Sequence, residues 1–303
     1  MKNPLILDIK GNSMDDGEGI RTVVFFKGCP LSCKWCHNPE SKKTQAEIAF
    51  DASDCIGCGI CRTLCAKNAL DLSNPFYIDR AKCDLCFDCV KECPSKALSR
   101  VGKEMTVREI FSQILPDKIF FDVSGGGVTL SGGEATLFPE FSGGLLALCR
   151  ENGIRTLLET CGFFDFDGVE REILPFLNDI YYDIKLFDRE LHKKYCGAYN
   201  DIILENFKKL IGAADKYGFT LLPRTPLIPE ITDTDENLTA IACFLAASGV
   251  KRAALLPYNP TWEPKNAKIG RKAEVELKNC KSWQTADKIS RCKEIFLKRN
   301  IEV

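Results

Sequence analysis

The chain has 303 residues, enough for one large domain or two smaller ones. Its charge is almost balanced, with 41 Lys and Arg against 42 Asp and Glu, so bulk charge does not indicate a nucleic-acid partner. Hydrophobic residues make up 45% of the sequence, which excludes a disordered chain, and no apolar run approaches the roughly 18 residues of a membrane helix. The amino terminus has too short an apolar stretch for a signal peptide, so a cytoplasmic protein without a membrane partner is expected.

Cysteine and histidine are unusually distributed. The sequence has 17 Cys, and eleven of them lie between Cys29 and Cys93. A disulfide scaffold would spread its cysteines and follow an export signal, so a disulfide framework is not expected. His37 and His192 are the only histidines in the sequence, which leaves almost nothing from which to build a His-based triad or a His-rich metal site.

The first predicted strand covers residues 21–26, a short run of β-branched and aromatic side chains. Cys29, Cys33 and Cys36 follow it in a loop with Cys-x3-Cys-x2-Cys spacing. Three thiolates at this spacing suit an iron–sulfur cluster with one open iron. A structural zinc site needs a fourth ligand, which His37 could supply, so zinc stays open as an alternative. Ligands in a loop after a strand are typical of βα barrels, which carry their chemistry at the carboxyl ends of the strands.

This loop resembles the signature of the radical S-adenosylmethionine (SAM) superfamily, with Trp35 as its aromatic residue. The longer stretch at residues 16–40 resembles one branch, the glycyl-radical-enzyme activating enzymes. The resemblance implies that Cys29, Cys33 and Cys36 hold a [4Fe–4S] cluster. It also implies that the amino and carboxylate groups of SAM chelate the open iron, with Trp35 at the cofactor site.

A second group of eight cysteines repeats one pattern at an offset of 28 residues. The pattern is the bacterial ferredoxin run, in which the fourth cysteine of each run binds the other cluster. The ligands predicted for one [4Fe–4S] cluster are Cys55, Cys58, Cys61 and Cys93, and those for the other are Cys83, Cys86, Cys89 and Cys65. A pair of zinc knuckles is the alternative, although neither run contains a histidine.

These runs predict an inserted domain. The two halves close in parallel, with Ala-Lys-Asn-Ala-Leu at residues 66–70 and Pro-Ser-Lys-Ala-Leu at residues 94–98. Residues 47–100 are therefore expected to form a ferredoxin-type domain with two [4Fe–4S] clusters. Such an insert resembles the longer members of the activating-enzyme family, and electron relay is its expected role. The remaining segments, 1–46 and 101–303, are expected to form the barrel.

After the insert, short apolar runs alternate with amphipathic stretches. Further strands are predicted at residues 127–130, 155–159, 180–185, 220–224 and 253–256, and helices at residues 139–150, 167–177, 202–216, 235–248 and 288–298. This alternation predicts an α/β fold with a parallel sheet. With the first strand it gives six units, which suggests a partial (β/α)6 TIM-like barrel. A doubly wound sheet is the alternative.

Polar residues gather at the predicted strand ends. By themselves, acids and a lysine in such places are ordinarily solvated caps, and a Gly-Gly pair is ordinarily a turn. The resemblance instead implies SAM contacts, in the order Gly132, Gly133, Glu134, Glu159, Thr160, Asp183, Lys185, Arg224 and Asn259. The Gly-Gly-Glu motif would take the amino group of SAM. The acids and the lysine would lie near its carboxylate and ribose, beside a monovalent cation.

Other residues have a structural expectation. His192 is expected to shape a loop and not to carry protons. The cysteines without cluster spacing are expected to be buried small hydrophobic residues. They are Cys149, Cys161, Cys196, Cys243, Cys280 and Cys292.

The resemblance implies an anaerobic oxidoreductase. It would cleave SAM reductively to a 5′-deoxyadenosyl radical, which takes a Cα hydrogen from one glycine of a partner glycyl radical enzyme. A flavodoxin or ferredoxin is the expected electron donor. Two alternatives remain: a radical SAM peptide maturase, and a multi-cluster electron-transfer protein without SAM chemistry.

Overall fold

The computed structural model describes residues 3–272 and 282–303. The strands are β1 (Leu5–Ser13), β2 (Arg21–Lys27), β3 (Glu47–Phe50), β4 (Leu98–Val101), β5 (Lys103–Glu104), β6 (Gly127–Gly132), β7 (Arg155–Thr160), β8 (Asp179–Asp183), β9 (Thr220–Pro226) and β10 (Ala254–Leu256). The α-helices are α1 (Ile60–Leu64), α2 (Asp88–Lys91), α3 (Val107–Ile114), α4 (Lys118–Ser124), α5 (Pro139–Glu151), α6 (Phe166–Glu172), α7 (Arg189–Cys196), α8 (Asp201–Tyr217), α9 (Asp235–Ala247), α10 (Glu263–Lys268) and α11 (Ala286–Leu297). Among these described residues, no helix combines the length and apolarity that crossing a membrane requires.

The central sheet has the order β10-β9-β8-β7-β6-β2-β1-β5. Six neighbouring strands of this sheet are parallel and follow one another in chain order: β2, β6, β7, β8, β9 and β10. A doubly wound sheet reverses its strand order at a switch point, and this sheet does not. The predicted α/β fold with a mostly parallel sheet is therefore confirmed. All six parallel strands point their carboxyl ends to the same edge.

Strand β1 was not among the predicted elements. It pairs antiparallel with β2, and its register shifts twice, between Ile6 and Asp8 and between Lys10 and Ser13. Most of its side chains alternate between partly and fully exposed, with Ile6 and Ser13 buried, so it lacks the continuous apolar run of the parallel strands. The short β5 pairs with its outer edge.

Several helix boundaries differ from the predictions for physical reasons. The helix predicted at residues 167–177 ends at Glu172, and a 3₁₀ turn at Leu174–Phe176 follows it. Pro175 lacks a backbone N–H and cannot continue an α-helix. Helix α3 was not predicted, although Thr106 and Glu109 form a capping box at its start.

A second, smaller core lies between β2 and β6 in the chain. Strands β3 and β4 form a separate antiparallel pair. Its core is distinct from that of the main sheet and contains the buried residues Ile48, Leu70, Tyr77, Ile78, Cys89, Cys93, Ala97 and Leu98. The rings of Phe50 and Tyr77 stack with centroids 4.3 Å apart. Residues 47–101 therefore bury side chains of their own as well as contacting the main sheet.

Candidate active site at the carboxyl edge of the sheet

A cavity of about 390 Å³ lies where β2 and β6 to β10 end. Nearly all of the residues predicted to hold the SAM cluster or to contact SAM line it. These are Cys29, Cys33, Trp35, Cys36, Gly132, Gly133, Glu159, Thr160, Asp183, Lys185, Arg224 and Asn259. Six strand ends that are far apart in the sequence thus contribute to one site, because the parallel strands end at the same edge of the sheet.

The cysteine loop is held by backbone contacts on both sides. The N–H of Gly28 donates to the carbonyl of Ser41 at 2.6 Å, and that of Ser32 donates to the carbonyl of Cys196 at 2.8 Å. Gly197, with φ of +88°, follows at the end of α7, and a Cβ there would lie 2.1 Å from the Ser32 hydroxyl. The end of α7 therefore packs so closely against the cysteine loop that no residue larger than glycine fits at position 197.

The thiols of Cys29, Cys33 and Cys36 line the same cavity. Soft thiolate ligands suit zinc and iron–sulfur sites alike. A structural zinc site takes four ligands and closes completely, whereas a cluster held by three cysteines leaves one iron open. The Cys196 thiol and the Lys185 charge hold the pKa of Cys33 below its usual value, whereas burial raises the pKa of Cys36 to about 12.

The glycines of the Gly-Gly-Glu motif allow two backbones to meet. The Gly133 N–H donates to the Phe26 carbonyl at 2.8 Å. A Cβ on Gly133 would lie 2.1 Å from the Gly28 carbonyl oxygen, and one on Gly132, with φ of +100°, would lie 2.5 Å from the Phe26 nitrogen. Only glycine fits at these two positions, and they bring the end of β6 against the start of the cysteine loop.

Glu134 is buried and does not line the cavity, unlike the other predicted contacts. Its carboxylate accepts hydrogen bonds from the hydroxyls of Thr136 at 2.7 Å and Thr160 at 2.9 Å, and from the N–H of Cys161 at 2.8 Å. The Glu134 side chain therefore joins the end of β6 to the end of β7 through hydrogen bonds within the protein.

Four charged side chains form one network in the cavity. Arg224 bridges two acids, with 2.5 Å from a terminal nitrogen to Glu159 Oε1 and 3.0 Å from Nε to Asp183 Oδ1. Lys185 lies 3.1 Å from the other oxygen of Asp183, and the Ser131 hydroxyl donates to Glu159 at 2.6 Å. Burial would raise the pKa of Asp183, but the charges of Arg224 and Lys185 outweigh it and lower that pKa. Asp183 is therefore ionised at neutral pH between its two cationic partners.

The segment after β8 acts as scaffolding. Asp188 caps α7 by accepting from the Leu191 N–H at 2.8 Å. His192 is buried, its Nδ1 lies 2.7 Å from the Ala198 carbonyl, and burial lowers its pKa. The Asn206 amide donates to the carbonyl of Gly162 at 2.9 Å. These contacts agree with the structural role predicted for His192.

The remaining cysteines are not all alike. Cys149 and Cys292 are buried as predicted. Cys161 is also buried, yet it lines the cavity, and its contact with the Cys29 thiol raises its pKa. Its position directly after the strand-end Thr160 could have indicated this. The prediction for Cys243 was wrong: it is exposed on the outer face of α9. Cys280 lies outside the described residues.

A second cavity gathers cysteines from both ferredoxin-like runs. Cys55, Cys58, Cys61 and Cys93 line it, and the Tyr77 hydroxyl lies 3.0 Å from the Cys61 sulfur. The cysteines of the other predicted set, Cys65, Cys83, Cys86 and Cys89, do not line this cavity, and Cys83 borders another beside Glu47. The second cavity thus combines three cysteines of the first run with the fourth cysteine of the second run.

Comparison with known proteins agrees with this site. Residues 23–240 match the model of the Radical SAM superfamily. The isethionate sulfite-lyase activating enzyme of Desulfovibrio desulfuricans is 41% identical over 278 residues, which are 89% of this chain and 88% of that protein. The trans-4-hydroxy-L-proline dehydratase activating enzyme of Clostridioides difficile is 36% identical over 293 residues, 95% of each chain.

A solved structure shows the same fold. A radical SAM methyltransferase from Sphaerobacter thermophilus superposes with a TM-score of 0.55 at 13% identity, covering 100% of this chain and 76% of that one. The chain belongs to the radical SAM superfamily and, within it, to the glycyl-radical-enzyme activating enzymes. That family binds SAM at a [4Fe–4S] cluster.

Proposed function

We propose that this protein is an activase that installs a glycyl radical in a partner enzyme. The observation that carries the proposal is the cavity in which the cysteine loop meets the SAM motifs of five other strand ends. Cys29, Cys33 and Cys36 would hold a cluster that, when reduced, would supply one electron for cleavage of SAM to methionine and a 5′-deoxyadenosyl radical, and that radical would take a Cα hydrogen from a glycine of the partner. The protein supplies binding, orientation and the exclusion of side reactions.

The cysteine loop would hold the cluster. Cys33 is buried, while Cys29 and Cys36 are partly exposed toward the cavity. Trp35 lines the same cavity, is largely buried, and packs near Tyr195, with ring centroids 6.3 Å apart. A loop fixed by packing and backbone hydrogen bonds keeps its thiolates in place, as a preorganised site requires.

The charged network would orient SAM. Lys185 and Arg224 are cations that suit the SAM carboxylate, and Gly132 and Gly133, which line the same cavity, would lie beside its amino group. Asp183 and Glu159 offer acceptors for ribose hydroxyls. Glu134 would act by positioning Thr160, since its own carboxylate is already bonded to the protein.

A monovalent cation beside the SAM carboxylate is a further part of the proposal. Such an ion would share the oxygens of Asp183 with Lys185 and Arg224, which already lie 3.1 Å and 3.0 Å away. SAM binding measured in potassium, sodium and tetramethylammonium salts at one ionic strength tests it. Equal affinity in all three salts would exclude a role for the ion.

Residues 47–100 would form a ferredoxin-type domain with two further [4Fe–4S] clusters. Cys55, Cys58 and Cys61 of the first run line the second cavity together with Cys93 of the second run, which supports this. In bacterial ferredoxins the fourth cysteine of each run binds the other cluster. Electrons from a flavodoxin or ferredoxin would pass through these clusters to the one at Cys29.

The partner would be a glycyl radical enzyme. The relatives' names connect them with enzymes of different chemistry, such as isethionate sulfite-lyase and trans-4-hydroxy-L-proline dehydratase. A common activation step explains this range, because each partner would present only a glycine to the cavity. The radical chemistry favours an anaerobic setting in the cytoplasm.

The test uses the iron-loaded protein with a candidate glycyl radical enzyme encoded beside its gene. Under anaerobic conditions, with SAM and dithionite, we expect the doublet electron paramagnetic resonance signal of a glycyl radical on the partner. Substituting the partner's glycine with alanine should abolish that signal. Cleavage of SAM without a radical on any such partner, but with modification of a peptide, would instead favour a maturase.

A further inference from the structure

Exposed apolar side chains form two groups along the chain. Of the fourteen large hydrophobic side chains exposed within residues 3–272 and 282–303, four fall at residues 115–123, and another four fall around the first cysteine run, beside its cysteine-lined cavity. The four around the cysteine run are Ile56, Ile60, Leu64 and Leu72, with exposures of 68%, 41%, 45% and 69%. We call these four residues the Ile56 face. A concentration of this kind marks an interaction site more often than scattered exposed residues do.

The Ile56 face adjoins the proposed cluster cavity. Ile56 and Leu72 line the cavity that Cys55, Cys58, Cys61 and Cys93 also line. Cys55 and Cys58 are themselves exposed. A partner protein bound to this face would therefore lie directly over the cysteines proposed to bind that cluster.

The face lies at the Phe50 end of β3, opposite the end that begins at Glu47. Strand β3 begins at Glu47, which shares a cavity with Cys83, and ends at Phe50, which shares a cavity with Cys55. At about 3.3 Å per residue the two ends are roughly 10 Å apart. The Glu47 end lies near the cysteine loop, since Glu47 pairs at 2.8 Å with Lys27, which ends β2 two residues before Cys29.

Arg62 is the charged side chain among those that line this cavity and favours an acidic partner, while the exposed Asp54 precedes Cys55 outside the lining. Arg62 is exposed, and it forms no ion pair with another residue in the described part of the chain. Asp71 is nearby, but its carboxylate is bonded to Ser73. A carboxylate from a docked protein would complete the pairing of Arg62.

We propose that the Ile56 face is the docking site for an acidic one-electron carrier protein whose redox group lies at an apolar patch of its surface. The carrier loses one electron and the cluster at Cys55, Cys58, Cys61 and Cys93 gains it, and no bond forms or breaks. This inference rests on the proposed function in one respect, the assignment of a cluster to those cysteines. It goes further by naming the point of electron entry.

The experiment measures binding to a two-cluster ferredoxin, using the iron-loaded protein. The variants are Leu64→Glu, Leu72→Glu and Arg62→Glu, and the control is Val123→Glu, which changes an apolar residue exposed to 87% elsewhere. We expect the three face variants to weaken binding about tenfold or more, since charge repulsion and lost apolar contact add, and the control to match the parent. Iron content measured on the same samples should equal that of the parent.

A second measurement keeps the inference testable if a face variant loses iron. Hydrogen exchange on the parent, with and without ferredoxin, should show protection at residues 55–72 and none at 118–124. The rate of SAM cleavage driven by ferredoxin, divided by the rate driven by dithionite in the same variant, should fall for the face variants.

Several results would overturn the inference. They are equal binding by parent and face variants, protection confined to another surface, and a face that pairs two copies of this chain in sedimentation. Competition for the face by the glycyl radical partner would also overturn it. Failure of the proposed function would give a different result. A parent protein that binds ferredoxin through the face but forms no 5′-deoxyadenosine with dithionite would contradict the proposed function and not the docking site.

Discussion

Lys27 and Glu47 form an ion pair almost completely shielded from water, with 2.8 Å between Nζ and Oε2 and side-chain exposures of 0% and 5%. Lys27 ends β2, directly before Gly28 and Cys29, and Glu47 begins β3. The Arg271 guanidinium approaches the other Glu47 oxygen at 3.6 Å. The pair therefore joins the cysteine loop to the cysteine-rich unit.

Removal of one partner should be costly. In the Glu47→Gln variant the buried Lys27 ammonium loses its counter-charge, and we expect unfolding to become easier by about 3–5 kcal/mol. The double variant Lys27→Met/Glu47→Leu should be less destabilised than that single variant, because no buried charge is left unpaired. Urea midpoints of the iron-loaded proteins check this, and a double variant that is the less stable would contradict the argument.

Gly133 should not tolerate a methyl group. In Gly133→Ala the new Cβ would meet the Gly28 carbonyl oxygen at 2.1 Å, so the cysteine loop must shift. We expect weaker SAM binding and lower iron content at the Cys29 site. Gly212→Ala in α8 is the matched control, since nothing lies within 4 Å of its Cβ position, and it should be neutral or stabilising by up to about 1 kcal/mol. Equal SAM affinity in both variants would refute the packing argument.

Substitution of Arg224 with lysine should weaken SAM binding, because the geometry of the guanidinium matters as well as its charge. Lysine in its place keeps the charge but cannot bridge Glu159 and Asp183 together. We expect SAM binding to weaken roughly tenfold to a hundredfold, the equivalent of about 1.5–3 kcal/mol for a hydrogen bond to a charged group. Equilibrium dialysis measures this. Arg189→Lys, which alters an exposed pair with Asp201, should leave the affinity unchanged.

The crossed cysteine assignment can be tested by non-additivity. Cys55→Ser and Cys93→Ser should each remove the same cluster, so the double variant should lose no more iron than either single one. Cys55→Ser with Cys65→Ser should lose two clusters, because these cysteines belong to different sets. Iron analysis after anaerobic reconstitution distinguishes the two patterns. Uncrossed runs would give the reverse result.

The sequence was most informative where chemistry depends on local spacing. The spacing of Cys29, Cys33 and Cys36 and the repeat of the two runs are visible without a fold, and the strand ends follow from apolar runs. The antiparallel β1 was missed because its side chains alternate and give a weaker signal. Contacts between distant positions, such as Lys27 with Glu47, depend on tertiary packing that no local pattern encodes.

The direction of individual side chains was also beyond the sequence. Glu134 belongs to a recognisable motif, yet its carboxylate points to Thr160 and Cys161. Cys161 and Cys243 look alike in the sequence as isolated cysteines. One lines the cavity and the other is exposed, because one follows a strand end and the other lies off the buried stripe of α9.

The central claim is that the Cys29 loop holds the cluster that cleaves SAM. The most direct measurement quantifies 5′-deoxyadenosine after anaerobic reconstitution with iron and sulfide and addition of SAM and dithionite. It compares the parent with the Cys29→Ala/Cys33→Ala/Cys36→Ala variant, in which the cysteines of the other two sets are intact. We predict product from the parent and none from the variant. No product from a fully loaded parent with its partner present, or equal product from both proteins, would contradict the account.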